Sequence, residues 1–184
     1  MHQHPSARCP AADVRTQWSV LLAADEAVQL LLDDPGGFRA HCEAAIAEAD
    51  GAVRDVLRAA PDGDYRFAAV REEEGETWRV PVLLRKEGER LTIDLTACAA
   101  QSAGSGNASR GAVWSAINDF ARALAPGAAG NAGCTAPLQL RSAPGTIVDP
   151  AFPAAVSGCA VVVELVAEAL QGAWSQAQRT GAAA

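Results

Sequence analysis

Apolar residues recur at mostly helical spacing at the start of the chain. Val14, Trp18, Leu21, Leu22, Val28, Leu31 and Leu32 predict one amphipathic helix with Asp13 as its N-cap. Asp33-Asp34-Pro35-Gly36-Gly37 predicts its stop. From about Phe38 to Ala59 the pattern resumes. Phe38, Cys42, Ala45, Ile46, Ala49, Val53, Val56 and Leu57 fall on one side, and Arg39, Glu43, Glu48, Asp50, Arg54 and Arg58 on the other. Two helices joined by a short break predict a helical hairpin. Residues 1–11 read as an irregular tail.

The period then shortens. Pro61-Asp62-Gly63-Asp64 is a turn, and three strand-like runs follow at Tyr65–Arg71, Trp78–Arg85 and Arg90–Leu95. In the third, Leu91, Ile93 and Leu95 alternate with Thr92 and Asp94, as on a half-buried strand. Short charged links, Glu72–Thr77 and Lys86–Glu89, predict an antiparallel meander. Pro81 inside the second run predicts an edge or a bulge there. Glu72-Glu73-Glu74 reads as a solvated hairpin turn.

Helical spacing returns at Val113, Ile117, Phe120, Ala121 and Leu124, ended by Pro126-Gly127. Residues 126–158 are rich in Pro and Gly and read as an irregular excursion, with extended pieces at Leu138–Leu140 and Thr146–Val148. A last helix is expected from about Ala160 to Ala177, with a frayed tail at 178–184. Helices first, a small sheet next and helices after it give an α+β fold, with helices and Pro/Gly-rich loops packed on the sheet.

Composition narrows the function. The chain has 184 residues, a net charge of −7 and a single Lys, Lys86. No basic face can form, which argues against nucleic acid as a partner. Its longest apolar run, Cys159–Val163, is too short to span a bilayer. Five Cys at spacings that match no metal knuckle read as reduced thiols in a cytoplasmic protein. The start, Met1-His2-Gln3-His4-Pro5, has neither the basic nor the apolar part of a signal peptide. His2, His4 and Cys9 lie in a free tail that does not preorganise metal ligands, so no metal site is expected. His41 beside Cys42 reads as an ordinary surface histidine.

The densest polar chemistry lies between Asp94 and Asn107. This small-residue stretch holds Asp94, Cys98, Gln101 and Asn107, with Gly104 and Gly106 allowing something to approach the backbone closely. Composition alone also fits a plain connecting loop. Asn131 and Cys134 stand in the irregular region. Glu164 and Glu168, four apart on the last helix, share a face. They read either as a solvent stripe or as a carboxylate pair on a pocket. Cys98, Cys134 and Cys159 read as buried thiols, although a thiol at a helix start, as at Cys159, can be acidified.

An ordered series of short motifs resembles the hydantoinase B/oxoprolinase family. A strand ends in Asp94, then come Gln101, Gly104 and Asn107 at the family's spacing. Next follow Asn131-Ala132-Gly133-Cys134 with Pro137, then Pro144-Gly145-Thr146, Asp149-Pro150 and Pro153-Ala154-Ala155-Val156. Upstream, Arg8-Cys9-Pro10, Asp13-Val14-Arg15-Thr16-Gln17 and Pro61-Asp62-Gly63-Asp64-Tyr65 are similar as well. The similarity implies one domain over 1–184 that resembles the middle of a longer family member, without that family's N-terminal metal-associated part or its Gly-rich C-terminal part. There are departures. Ala97 and Cys98 stand where the family has Gly and Ser or Thr, and Val161-Val162-Val163 replaces a Glu-Thr-Ser run. Glu168 keeps a carboxylate where the family has Asp.

The resemblance implies a hydrolase-type or small-molecule-binding subunit for cyclic amides, imides or related carbonyl compounds. Asp94, Cys98, Gln101, Asn107, Asn131, Cys134, Glu164 and Glu168 are its candidate pocket residues. No cofactor is expected in this chain, and ATP would enter only through a hydantoinase A-like partner subunit. A homo-oligomer is the other expected association. Two other readings stay open: a non-catalytic assembly subunit of a larger complex, and an enzyme repurposed for specialised metabolism.

Overall fold

The computed structural model describes residues 11–31, 34–73 and 76–182. It contains two compact units, one up to Ala44 and one from Ala45 onward. The first holds α1 (Ala11–Leu31) and the opening turns of α2 (Pro35–Ala59). Helix α1 begins at Ala11, so Asp13 lies inside its first turn rather than capping it. Helix α2, in contrast, has a side-chain cap, Asp34. Its Oδ1 accepts the Gly37 N–H at 3.0 Å, and Pro35 takes the first helical position, where its missing N–H costs nothing. Pro-Gly-Gly therefore opens a helix instead of extending the break. The apolar stripe of α1 is open to solvent, with Trp18 64% and Leu21 62% exposed. Of the tail expected over residues 1–11, Ala11 already belongs to α1 and residues 1–10 lie outside the described residues.

The second unit is built on a four-stranded sheet in the order β1-β2-β3-β4. Strands β1 (Gly63–Glu73) and β2 (Glu76–Glu87) form a long antiparallel hairpin from Gly63↔Lys86 to Glu73↔Glu76. Pairing runs further into the glutamate run than the pattern predicts. β3 (Arg90–Asp94) continues the meander against Leu83–Glu87 of β2. β4 (Leu138–Arg141) then joins β3 in parallel, so the sheet is mixed. Its alternating apolar residues, Leu138 and Leu140, are buried.

Alternation gives the sheet two unlike faces. Tyr65, Ala69, Val80, Leu84, Leu91, Ile93 and Leu140 are buried on the inner face. Helix α4 (Ala160–Ala182) packs directly on the sheet, α3 (Arg110–Leu124) packs on α4, and the buried stripe Ala49-Val53-Leu57 of α2 joins the same core. Each fully buried Leu or Ile contributes roughly 2 kcal/mol by leaving water. Helix α3 starts at the Ser109 cap, whose Oγ accepts the Ala112 N–H at 3.2 Å. It buries Val113, Ile117 and Phe120. Phe120 meets Trp174 of α4 edge to face, centroids 6.3 Å apart. Val162 is fully buried and Val161 and Val163 pack beside it, so the valine run feeds the core. Helix α4 continues past its predicted end to Ala182, and the Thr180 hydroxyl donates to the Gln176 carbonyl at 3.0 Å.

Pro81 sits in β2, which lies between two other strands. Yet β3 pairs with β2 only from Leu83 onward. At Pro81 the β3 side is empty of strand, and the Pro81 carbonyl there accepts a contact from the Cys98 thiol at 3.8 Å. The missing donor costs no ladder bond.

The sole lysine is structural. Lys86 is 2% exposed, and its Nζ donates to the Ala60 carbonyl and to Asp62 Oδ1, both at 2.6 Å. Asp62 also accepts the Gly88 N–H at 2.9 Å, and the Tyr65 hydroxyl donates to the Pro61 carbonyl at 2.9 Å. The Pro-Asp-Gly-Asp-Tyr turn thus fastens the end of α2 to the hairpin.

Candidate functional site on the open face of the sheet

The polar loop after β3 uses its side chains internally. Asn107 is fully buried. Its Oδ1 accepts the Ser102 N–H at 2.7 Å, and its Nδ2 donates to the carbonyls of Ser102 (3.1 Å), Gly104 (3.1 Å) and Ala155 (2.9 Å). Gln101 Oε1 accepts the Ala151 N–H at 2.8 Å. Backbone bonds from Gln101 to Gly145, Ile147 to Ala99 and Ala108 to Ile147 complete a clasp between this loop and residues 142–158. The close approach anticipated at Gly106 is to the Trp78 indole, which a Cβ would meet at 2.1 Å.

Asn131 and Cys134 belong to a second joint. Asn131 Oδ1 caps a single 3-10 turn (Ala132–Thr135) by accepting the Gly133 N–H at 2.8 Å, and its Nδ2 donates to the Ala45 carbonyl of α2 at 2.9 Å. A Cβ on Gly133 would lie 2.1 Å from the Ile46 carbonyl oxygen, so the turn needs glycine to come this close. Cys134 is fully buried, its thiol directed at the Ala129 carbonyl. On α4, Glu164 and Glu168 are both exposed, and Glu164 pairs with Arg71 at 2.6 Å.

Asp94 is placed differently. It lines a cavity of about 440 Å³ on the outer face of the sheet, with Arg66, Arg79, Pro81, Leu83 and Thr96. Alternation puts Ala68, Pro81 and Leu83 on the floor and the charged groups at the rim. Asp94 Oδ1 accepts from the Thr96 hydroxyl (2.6 Å) and amide (3.0 Å). Among the described residues Oδ2 accepts no hydrogen bond. Partial burial raises the Asp94 pKa, but the Thr96 bonds, then Arg141 and Arg85, outweigh it and hold the net value below the ordinary carboxylate range. Asp94 is therefore an ionised acceptor at neutral pH. Arg79, exposed, has no hydrogen-bond or ion-pair partner among the described residues, whereas Arg66 reaches Asp64 at 3.4 Å.

Cys98 lies beneath this floor, buried. Desolvation pushes its thiol up to about 12, against the pull of Arg79. It is a neutral thiol at physiological pH and not a nucleophile. The site can thus offer donors from a guanidinium and an acceptor carboxylate over an apolar floor. Of the eight residues singled out from sequence, Asp94 reaches this cavity and Cys98 underlies it. The arginines were missed because strand arginines on the polar face look like ordinary solvated residues. Their register with Pro81 and Leu83 was the available signal. Among the described residues no group of three or more His, Cys, Asp or Glu could hold a metal ion, and no helix is long and apolar enough to cross a membrane.

Comparison with known proteins adds to this geometry. The family model described as Hydantoinase B/oxoprolinase matches residues 7–184. No curated protein matches the chain. Among solved structures, the ATP-dependent caprolactamase from Pseudomonas jessenii is similar, with 23% sequence identity and a TM-score of 0.78. The likeness covers 94% of this chain and 32% of the caprolactamase chain.

Proposed function

Because the chain belongs to the hydantoinase B/oxoprolinase family, we propose that it binds a cyclic amide or imide in the cavity on the open sheet face, as one component of a lactam-hydrolysing assembly. The observation that carries this reading is that Arg79 and Asp94 line one cavity whose floor is apolar. An amide ring presents one carbonyl acceptor and one N–H donor beside apolar methylenes. The Arg79 guanidinium suits the carbonyl, ionised Asp94 suits the N–H, and Pro81 and Leu83 suit the ring. A volume of about 440 Å³ is ample for such a ligand. The similar caprolactamase is ATP-dependent, which supports an ATP-using, hydantoinase A-like partner that supplies the hydrolytic chemistry. Within this chain the Cys98 thiol is neutral and Asp94 is a weak base, so its own groups orient the ring rather than attack it.

Thermal-shift titration with hydantoins, lactams and cyclic imides tests the reading. A bound ligand raises the melting temperature by mass action. We expect a dose-dependent rise that disappears in Arg79→Ala and in Asp94→Asn. A folded protein that shows no shift with any of these rings would overturn it.

A second reading, a non-catalytic assembly subunit, is favoured by the exposed Trp18 and Leu21 on α1. It predicts that Trp18→Glu abolishes capture of a family partner while any ring-induced shift persists.

A further inference from the structure

A second cavity, about 340 Å³, opens where the parallel strands β3 and β4 begin. Arg54 of α2, Arg85 of β2 and Arg90 of β3 all line it, with Thr92, Gln139 and one acid, Glu87, in its wall. Three guanidinium groups approach from three separate elements. Two are anchored from behind. Arg54 Nε donates to both carboxylate oxygens of Asp50 at 2.9 Å, and Arg85 Nε donates to Asp64 at 3.2 Å. Both contacts run through Nε and leave the paired Nη groups as the exposed fork. Arg54 Nη1 stands 3.8 Å from Glu89, an ion pair too long for a hydrogen bond. Arg90 has no hydrogen-bond or ion-pair partner among the described residues.

We propose that this cavity binds the phosphate group of a small molecule, held by Arg54, Arg85 and Arg90. The lining carries three positive charges and one negative; Asp50 and Asp64 offset two of the arginines from behind, and Arg90 adds a cation without a partner among the described residues, so the site favours an anion. A planar carboxylate offers two oxygens, whereas a phosphate offers at least three in a tetrahedral spread. That spread suits donors arriving from three directions. The Thr92 hydroxyl and Gln139 carboxamide add neutral donors on the same wall. Anchoring through Nε fixes two of the forks before the ligand arrives, which lowers the ordering cost of binding. This site is separate from the cavity at Asp94, so it stands whether or not a cyclic amide binds there.

Calorimetric titration of the purified chain at low ionic strength, with inorganic phosphate and with methyl phosphate, tests it. We expect saturable binding of one anion per chain, weakened about tenfold or more in Arg90→Gln. Arg90 is exposed, so that variant should keep the melting temperature of the parent. Arg179→Gln, on the exposed end of α4, should bind as the parent does. Tighter binding of methyl phosphate would identify an ester ligand, and tighter binding of inorganic phosphate a free ion. No saturable binding at millimolar anion, or equal binding by Arg90→Gln, overturns the proposal. So does displacement by chloride at matching concentration, which would mark diffuse screening.

Discussion

In the loop after β3, Asn107 makes four hydrogen bonds to backbone groups. On the outer face of the sheet, Arg79 makes none among the described residues. Both are polar side chains, yet they serve opposite ends. The loop's donors and acceptors are matched by protein partners, so they hold two irregular segments together and have little left for a ligand. The sheet face keeps donors that only solvent satisfies, and solvent can be displaced. In this chain, capacity to bind is best read from unmet hydrogen-bonding groups, not from the density of polar residues.

The sharpest way to break the comparison is Asn107→Ala. It leaves three carbonyls and one amide without a partner in a buried place, and should cost about 3 kcal/mol or more in chemical denaturation. Gly133→Ala comes next. Its methyl would collide with the Ile46 carbonyl, and overpacking of this kind costs about 2 kcal/mol. If either variant kept full stability, the motifs would have a role other than holding the fold.

Asp62 gives a smaller, pH-dependent effect. Its hydrogen bond from Lys86, then that from Gly88, lower its pKa in the folded state. A depressed carboxylate contributes stability that is full above the unfolded value, about 4, and is lost as pH falls through the folded value. Asp62→Asn should therefore flatten the acid limb of stability against pH, seen in melting curves taken across that range. The smallest expected effect sharpens the other side. Arg79→Gln should change stability by no more than about 0.5 kcal/mol while removing the ring-induced thermal shift.

The order of elements was legible because long amphipathic stripes and a strict two-residue alternation carry it. The stripe in α3 and the Leu91-Ile93-Leu95 alternation both fill the core as expected. What the sequence hid was long-range pairing. Leu138–Leu140 reads as an extended piece, but nothing so short encodes a parallel partner that lies beyond a helix. The same holds for the site. Asn107 looked chemically important, and it is important, but its partner at Ala155 lies 48 residues away and is backbone, which no motif announces. Asp94 could be picked out as a polar strand end. Arg54, Arg85 and Arg90 could not be grouped before the fold brought a helix and two strands to one opening.

Pro81 has a consequence for how the molecule behaves in a crowd. Past Leu83, β2 presents a backbone row that β3 has abandoned. Such a row can recruit a foreign strand and seed aggregation. Proline removes the amide that an incoming strand would need, and the Cys98 thiol covers the adjoining carbonyl. That stretch of β2 is stoppered against sideways pairing with another chain, beside the face whose cavity stays open to ligands.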